Sequence, residues 1–355
     1  MVMIPDTRLL SVLIPTRGRS EKLTGVLDAL GRMESTTRSD FEVIVVIDGD
    51  GEIPDRHDPF PLRVITTPHI GAGPARNLAI EHADGDAILF LNDDVVPSPG
   101  FIDAHIEALN AGHPMVLGDS PWAILSDPSV FDDFIAHTPA VFDHRSLVDG
   151  ARLGFRYGWT LNLSFRRSAL DRIGCPFNPD LRPVYFEDIE FAHRCMGSSD
   201  DIVFCSDARA VHVHRLSVQD YFSREVLLGM MSVVLEQANP ACYEELFSLS
   251  TSEHAARCQP MLGVDSPDHR KLLDRFVEIA AYPQGSLDPM LLFDLHLPLK
   301  RRAFRLGLCA MDADLVPWQE RVTTSTALLS NDRVFGILIH AQEEFIGCNL
   351  VDTRG

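Results

Sequence analysis

Two acidic pairs and one histidine pair have the residue types and spacing to do chemistry. Asn92-Asp93-Asp94 follows directly on Ile88-Leu89-Phe90-Leu91. Four apolar residues in a row read as a buried strand, and ligands of open α/β sheets bind just beyond the carboxyl ends of such strands. Hard divalent cations take oxygen ligands and are commonly shared between protein carboxylates and a substrate's phosphates. The plain alternative is an Asp-rich turn closing the strand. Glu187-Asp188 opens a stretch with helical character that runs to Arg194. A carboxylate at a helix N-terminus is favoured as the anion, and an anion facing a hydroxyl can take its proton; the alternative is a capping acid with no chemistry. His212 and His214 lie two apart in a strand-like stretch, so their side chains share a face. A zinc site built on them lacks a second pair of ligands, and a packed histidine is the other reading.

The elements that must position these groups begin with Leu9–Ile14, a first strand, followed by the loop Pro15-Thr16-Arg17-Gly18-Arg19. Ser20 is the expected N-cap of a helix carrying Leu23, Val26, Leu27 and Leu30. Phe41–Ile47 is a second strand that ends in Asp48-Gly49-Asp50-Gly51, and Leu62–Thr66 is a third. A helix opens at Gly71-Ala72-Gly73-Pro74-Ala75-Arg76-Asn77. Strand, helix, strand with near-continuous apolar strands predicts a parallel sheet covered on both faces. The loops after the first, second and central strands then share one edge, and three polar loops on one edge describe a single cleft. Further on, Met115–Gly118 and Val203–Cys205 are expected strands, Thr160–Phe165 is an alternating strand, and a helix starts at Arg166. Residues 119–158 lack clear periodicity, and a segment that long without elements is usually functional or disordered.

The chain has 355 residues, 45% hydrophobic and 23% charged, enough for one large domain and a smaller one. Its formal charge of −20 disfavours nucleic acid or an anionic membrane as a general partner. An anionic substrate would need locally placed arginines or a metal cation. No apolar run is long enough to span a bilayer, and no secretory signal is visible at the N-terminus. Seven cysteines without a CxxC pair suit reduced thiols, so a cytoplasmic location is expected.

Four segments in order carry a more specific message: Ser11-Val12-Leu13-Ile14-Pro15-Thr16, Val45-Val46-Ile47-Asp48-Gly49, Gly73-Pro74-Ala75-Arg76-Asn77-Leu78-Ala79 and Phe90-Leu91-Asn92-Asp93-Asp94-Val95-Val96-Pro97. With them, residues from about 10 to 215 resemble the family 2 glycosyltransferases of the GT-A fold. The resemblance implies a Rossmann-like mixed α/β sheet flanked by helices, a nucleoside-diphosphate sugar donor, and Mn2+ or Mg2+ as cofactor. It places Pro15, Thr16 and Arg17 in the nucleotide pocket, Asp48 on the base, Arg76 near the phosphates and Asp93 at a ribose contact. A carboxylate beside uracil can bond the ring N–H, which favours a UDP-sugar without excluding guanine or thymine. Asp94 matches the metal-binding aspartate, and His212, with His214 in reserve, matches a metal-ligating or diphosphate-facing histidine. By the same match Asp188 is the base and Glu187 its neighbour. Many relatives carry Asp where this chain has Ile47 and Asn92; Asn92 keeps an acceptor but no charge, and is assigned to the nucleotide-sugar site.

Trp122, Phe131, Phe134, Tyr157 and Trp159 either stack on sugar rings or simply pack. Beyond Leu216 the family patterns fade, which divides the chain into a catalytic domain, 1–215, and a mainly helical region, 216–355. Ser217 is an expected cap, Asn239-Pro240 an expected break, and further helices are expected over 267–281, 290–311 and 332–348, with Pro298 breaking or kinking the second. Lys300-Arg301-Arg302 with Arg305 reads as a solvated helix face or as a receptor for an anionic acceptor.

The expected function is an inverting, metal-dependent transfer of a sugar to a hydroxyl of a saccharide, a lipid-linked saccharide or a small molecule. A nucleotidyltransferase would need a Gly-rich loop with a distal Lys after the first strand, where Pro15–Arg19 offers one glycine. A non-catalytic nucleotide-sugar binder would have no use for Asp188. A homo-oligomer is left open.

Overall fold

The computed structural model describes residues 7, 9–33, 41–181, 185–196, 202–248, 250, 253 and 267–310. They fall into two compact units, 1–123 with 144–214, and 124–143 with 215–355.

The first unit is built on an eight-stranded sheet. Its strands are β1 Leu10–Thr16, β2 Phe41–Asp48, β3 Leu62–Thr67, β4 Ala87–Leu91, β6 Met115–Gly118, β7 Arg152–Leu153, β8 Asn162–Arg166 and β9 Ile202–Cys205, in the order β3-β2-β1-β4-β8-β6-β9-β7. β3, β2, β1 and β4 run parallel. β8 is antiparallel to both its neighbours. The α/β class, the mixed sheet and the flanking helices are those of the expected fold. Every residue of β2 and β4 is buried, which is why their sequences are continuous apolar runs. β8 is buried on both faces from Asn162 to Phe165, so its alternation does not mark one wet side, and Arg167–Arg172 beyond it is a 3-10 helix.

Helices α1 Ser20–Gly31, α2 Ala72–Glu81, α3 Phe101–Asn110 and α5 Glu187–Met196 complete this unit. Ser20 lies inside α1, whose N-cap is Arg19 with no side-chain cap bond. The predicted cap therefore moves back one residue, to a side chain engaged elsewhere. Phe90 of β4 packs on Phe177 and Phe191 with ring centroids 5.2 and 5.6 Å apart, and Phe177 stacks on Phe191 at 4.8 Å. These rings pin α5 to the strand that ends at Leu91, one residue before Asn92. A separate antiparallel ladder joins β5 Val95–Pro97 to β10 Ala210–His212, pairing His212 with Val95.

The second unit is helical: α4 Val130–His137, α6 Val218–Ala238, α7 Pro240–Phe247, α8 Pro267–Ala280 and α9 Pro289–Ala310. Ser217 forms a capping box with Asp220, and Pro240 starts α7, as expected. Three expectations change. α4 lies within the stretch read as irregular, capped by a Ser129–Asp132 box, and Ile124–Asp143 joins the helical unit. Pro298 does not break the second of the expected helices but lies inside α9. Lys300 is not on a solvated face: its Nζ donates to Ala140 O at 3.0 Å and lies 3.5 Å from buried Glu225, while Arg302 is itself buried. The predicted helix over 332–348 lies outside the described residues. Among the described residues, no helix is long and apolar enough to cross a membrane.

Candidate active site at the carboxyl edge of the sheet

Because β1, β2 and β4 are parallel neighbours, the loops after Thr16, Asp48 and Leu91 emerge on the same edge. Asp93 and Asp94 follow β4 and are almost completely buried, at 0% and 3% exposure. Two adjacent buried carboxylates need compensation. Thr16 donates its hydroxyl to Asp93 Oδ2 at 2.6 Å. Arg19 bridges the pair, with Nε 3.0 Å from Asp93 Oδ2, Nη2 2.5 Å from Asp93 Oδ1 and Nη1 2.8 Å from Asp94 Oδ2. Burial still pushes the Asp93 carboxyl up, against Arg19 and Thr16.

The β5–β10 ladder carries His212 to Asp94, with Nε2 3.7 Å from Oδ1, and the Val213 N–H donates to the Asp94 carbonyl at 2.7 Å. His214 lies on the same side, as the two-residue spacing predicted: its ring is 5.8 Å from that of His212 and its Nδ1 is 3.4 Å from Asp94 Oδ2. Trp122 stacks on His212 at 4.4 Å. Burial opposes ionisation of Asp94, but His214, His212 and Arg19 outweigh it and hold the carboxyl at about 2. Burial lowers His212 to about 4 in spite of Asp94. Near neutrality His212 is therefore an uncharged imidazole, while Arg19 and, at 3.8 Å, Lys22 bring positive charge to Asp94.

An ionised carboxylate beside a neutral imidazole is a mixed oxygen and nitrogen donor set that fits a divalent cation such as Mn2+ better than Mg2+, with phosphate and water oxygens supplying the other ligands. Asp94 Oδ1 fits that use, being buried without a hydrogen-bond partner. Among the described residues, no group of three or more His, Cys, Asp or Glu is gathered to hold a metal by itself.

The second acidic pair meets this edge through Arg76. Buried on α2, it points Nη2 at Asn92 Oδ1, 3.3 Å away, and Nη1 at Glu187 Oε1, 3.4 Å away, with its guanidinium over the Phe177 ring at 5.5 Å. Arg76 Nε is buried with no hydrogen-bond partner. Glu187 departs from the simple helix-terminus expectation. Burial and the neighbouring Asp188 raise its carboxyl to about 7, with Arg76 pulling the other way. Asp188 is only half-buried, and its Oδ1 accepts the N–H of Ile189 at 2.8 Å. The two residues before the pair, Tyr185 and Phe186, have φ of 82° and 65°. Non-glycine residues in the left-handed region cost on the order of 1–3 kcal/mol each and concentrate at functional sites.

Other predicted residues are placed less simply. Asp48 accepts the N–H groups of Ile70 and Gly71 at 2.6 and 3.0 Å and faces His69 Nδ1 at 2.9 Å. It thus organises the entry to α2, where Gly71 adopts φ 97°, and this takes up three of the about four acceptor positions a carboxylate offers. Arg17 is exposed and Pro15 half-buried at the end of β1. A cleft of about 640 Å3 opens beside the end of β2, lined by Ile47, Gly51, Arg56 and Thr66 among others. Of the aromatics, Tyr157 and Trp159 pair at 5.1 Å in the first unit. Phe131 and Phe134 are buried in the second, packed on Tyr221 and Phe276, and so belong to a core.

Sequence reasoning missed Arg19 and Lys22, whose Nζ is 3.8 Å from Asp94 Oδ2. The signal was present, since positions three apart at a helix start share a face.

Residues 11–174 match the family described as Glycosyl transferase family 2. The succinoglycan biosynthesis protein ExoM of Rhizobium meliloti is 28% identical over 206 residues, 54% of this chain and 62% of its own length. An uncharacterized glycosyltransferase of Haemophilus influenzae is 34% identical over 89 residues, 24% of this chain and 29% of its own. The chain thus spans less than two thirds of either curated relative. The mannosyltransferase PcManGT from Pyrobaculum calidifontis, solved with GDP-Man and Mn2+, aligns at a TM-score of 0.46 with 17% identity, covering 98% of this chain and 88% of that one. With the family match spanning β1 through β8 and both sides of the aspartate cluster, residues 11–174 of this chain are a glycosyl transferase family 2 domain.

Proposed function

We propose that the chain transfers a sugar from a nucleoside-diphosphate donor, with UDP favoured, to a hydroxyl acceptor, inverting the anomeric centre. The observation that carries this reading is the shared arginine. Arg76 lies on both Asn92, two residues before Asp94, and Glu187, one residue before Asp188. Two acidic motifs far apart in sequence are thereby tied to one edge of one sheet.

Asp94 and His212 would hold the cation, which when bound supplies positive charge to the departing diphosphate. Asp188 takes the acceptor proton; the acceptor oxygen forms its bond to the anomeric carbon as the bond to the diphosphate oxygen breaks. Thr16, Arg17, Pro15, Asp48 and Asp93 line the nucleoside side, with Arg19 holding Asp93 in place. Glu187, raised to about 7, spends part of its time neutral near pH 7, which lessens the negative charge beside Asp188. Arg76, with one donor still unused, stands where diphosphate charge would be met.

The test is calorimetry with UDP and GDP, with and without Mn2+, followed by assay of a nucleotide-sugar panel for transfer or slow donor hydrolysis. Cation-dependent nucleotide binding with turnover is expected. Asp188→Asn should keep that binding and lower turnover by about 10²–10⁴-fold. Binding that ignores the cation and gives no turnover would favour a nucleotide-sugar sensor instead.

A further inference from the structure

The aspartate pair already holds a cation of the protein's own. Arg19 makes three contacts on Asp93 and Asp94, and these divide unequally: Nε and Nη2 grip Asp93, and only Nη1 reaches Asp94 Oδ2, at 2.8 Å. The Arg19 side chain is 42% exposed, whereas the carboxylates it serves are buried. It reaches solvent where Asp93 and Asp94 do not. Lys22 Nζ stands behind it, 3.8 Å from the same Asp94 oxygen and 3.4 Å from His214 Nδ1.

A Mg2+ bound to a carboxylate oxygen sits about 2.0–2.1 Å from it. A divalent cation on Asp94 Oδ1, the oxygen without a partner, would stand beside the same carboxylate whose Oδ2 holds Nη1 at 2.8 Å, and like charges brought that close repel. Arg19 and a metal therefore compete for the single charge of Asp94. The Asp93 grip does not depend on it.

We propose that Arg19 is an exchangeable counter-cation: its Nη1 arm neutralises Asp94 until a metal–diphosphate pair enters, and then turns onto the phosphate while Nε and Nη2 stay on Asp93. This rests on the function proposed above. It assigns Arg19 a positioning role that couples metal binding to nucleotide binding. The metal alone displaces a bound arginine without return. The metal with diphosphate gives the freed N–H groups an anion.

The experiment measures Mn2+ alone, and then UDP at saturating Mn2+, by calorimetry on the full chain. Wild type, Arg19→Gln and Arg19→Lys are compared, with folding checked by circular dichroism. Arg19→Gln should bind Mn2+ alone at least about tenfold more tightly than wild type, and UDP at saturating Mn2+ at least about tenfold more weakly. Arg19→Lys, which keeps charge but not the fork, should bind Mn2+ alone like wild type and UDP more weakly. If Arg19→Gln does not fold, wild-type protein labelled with 15N in its arginines supplies the readout. The Arg19 Nη signals should shift with Mg2+–UDP while its Nε signal, held on Asp93, stays. Unchanged or weaker Mn2+ affinity in Arg19→Gln, or unmoved Nη signals, overturns the exchange while cation-dependent UDP binding by wild type still stands. Loss of that wild-type binding would overturn both.

Discussion

His105 of α3 and Asn162 of β8 meet at 2.9 Å inside the first unit, both completely buried, and their surroundings fix the proton on the ring. Asn162 Nδ2 donates to the Ala208 carbonyl at 2.9 Å, so Oδ1 is the atom turned to His105. An amide oxygen only accepts, so Nε2 carries the hydrogen, and Nδ1 accepts from the Ser164 hydroxyl at 2.8 Å. Burial lowers the ring to about 4, against the bond to Asn162. Between about 4 and 6.5 the unfolded chain binds a proton that the native site refuses. The stabilisation is present above 6.5 and is lost as pH falls toward 4. This one group should remove about 2 kcal/mol between pH 7.5 and 5. His105→Gln, which can donate and accept without titrating, should reduce that loss in urea melts at the two pH values.

Glu187 has the opposite sign. Burial, with Asp188 beside it, raises its carboxyl to about 7, so between about 4.5 and 7 the native state holds a proton that the unfolded chain has released. Its contribution is complete below 4.5 and declines as pH rises through 7. Glu187→Gln should be less sensitive to pH across that window and gain stability relative to wild type at pH 8. Removing Arg76 should do the reverse. Arg76→Ala leaves Glu187 Oε1 without its cation, and pH 8 should destabilise that variant more than it does wild type. Denaturation midpoints at pH 5 and 8 for the three proteins decide the point.

The strands were legible because a sheet covered on both faces leaves a local mark: Val43–Ile47 and Ile88–Leu91 are apolar without a break. The site was legible as positions and less so as roles. The spacing of His212 and His214 foretold a shared face, and both meet Asp94. The local rule for Glu187 gave its place at a helix start but not its ionisation, because burial by Arg76 and α2 is a long-range fact. α4 was lost for a similar reason. Phe131 and Phe134 find their partners in Phe276 and His296, and Asp133 accepts from Gln284, 151 positions later. Its local signal, the Ser129–Asp132 capping box, was in the sequence and went unread.

Thr16 offers a narrower test of the aspartate pair. Its hydroxyl is one of the few neutral donors to Asp93, at 2.6 Å, in a site with no water-facing side for that carboxylate. Thr16→Val keeps the shape and removes the donor, which should cost about 1–3 kcal/mol. It should also weaken UDP binding at saturating Mn2+, since the loop after β1 would then hold Asp93 through Arg19 alone. Urea denaturation and calorimetry on the same preparation separate the two effects.

In the second unit α6 and α9 cross at two glycines that act reciprocally. A Cβ on Gly229 would lie 1.8 Å from the Phe304 carbonyl oxygen, and one on Gly307 would lie 1.8 Å from the Val226 carbonyl oxygen. Neither obstacle is a flexible side-chain tip; both are helix backbone, so the helices themselves would have to separate. Gly229→Ala and Gly307→Ala should each destabilise by about 1–3 kcal/mol or more, despite alanine's better helix propensity. Because each change forces apart the same contact, the double variant should lose less than the sum. Gly25→Ala in α1 is the control, since its added Cβ meets nothing within 4 Å. There propensity acts alone, and a gain of about 0.5–1 kcal/mol is expected. Thermal melts followed by circular dichroism should give opposite signs for Gly25 and for the crossing pair. A stabilising Gly229→Ala would mean that the two helices do not approach as closely as this.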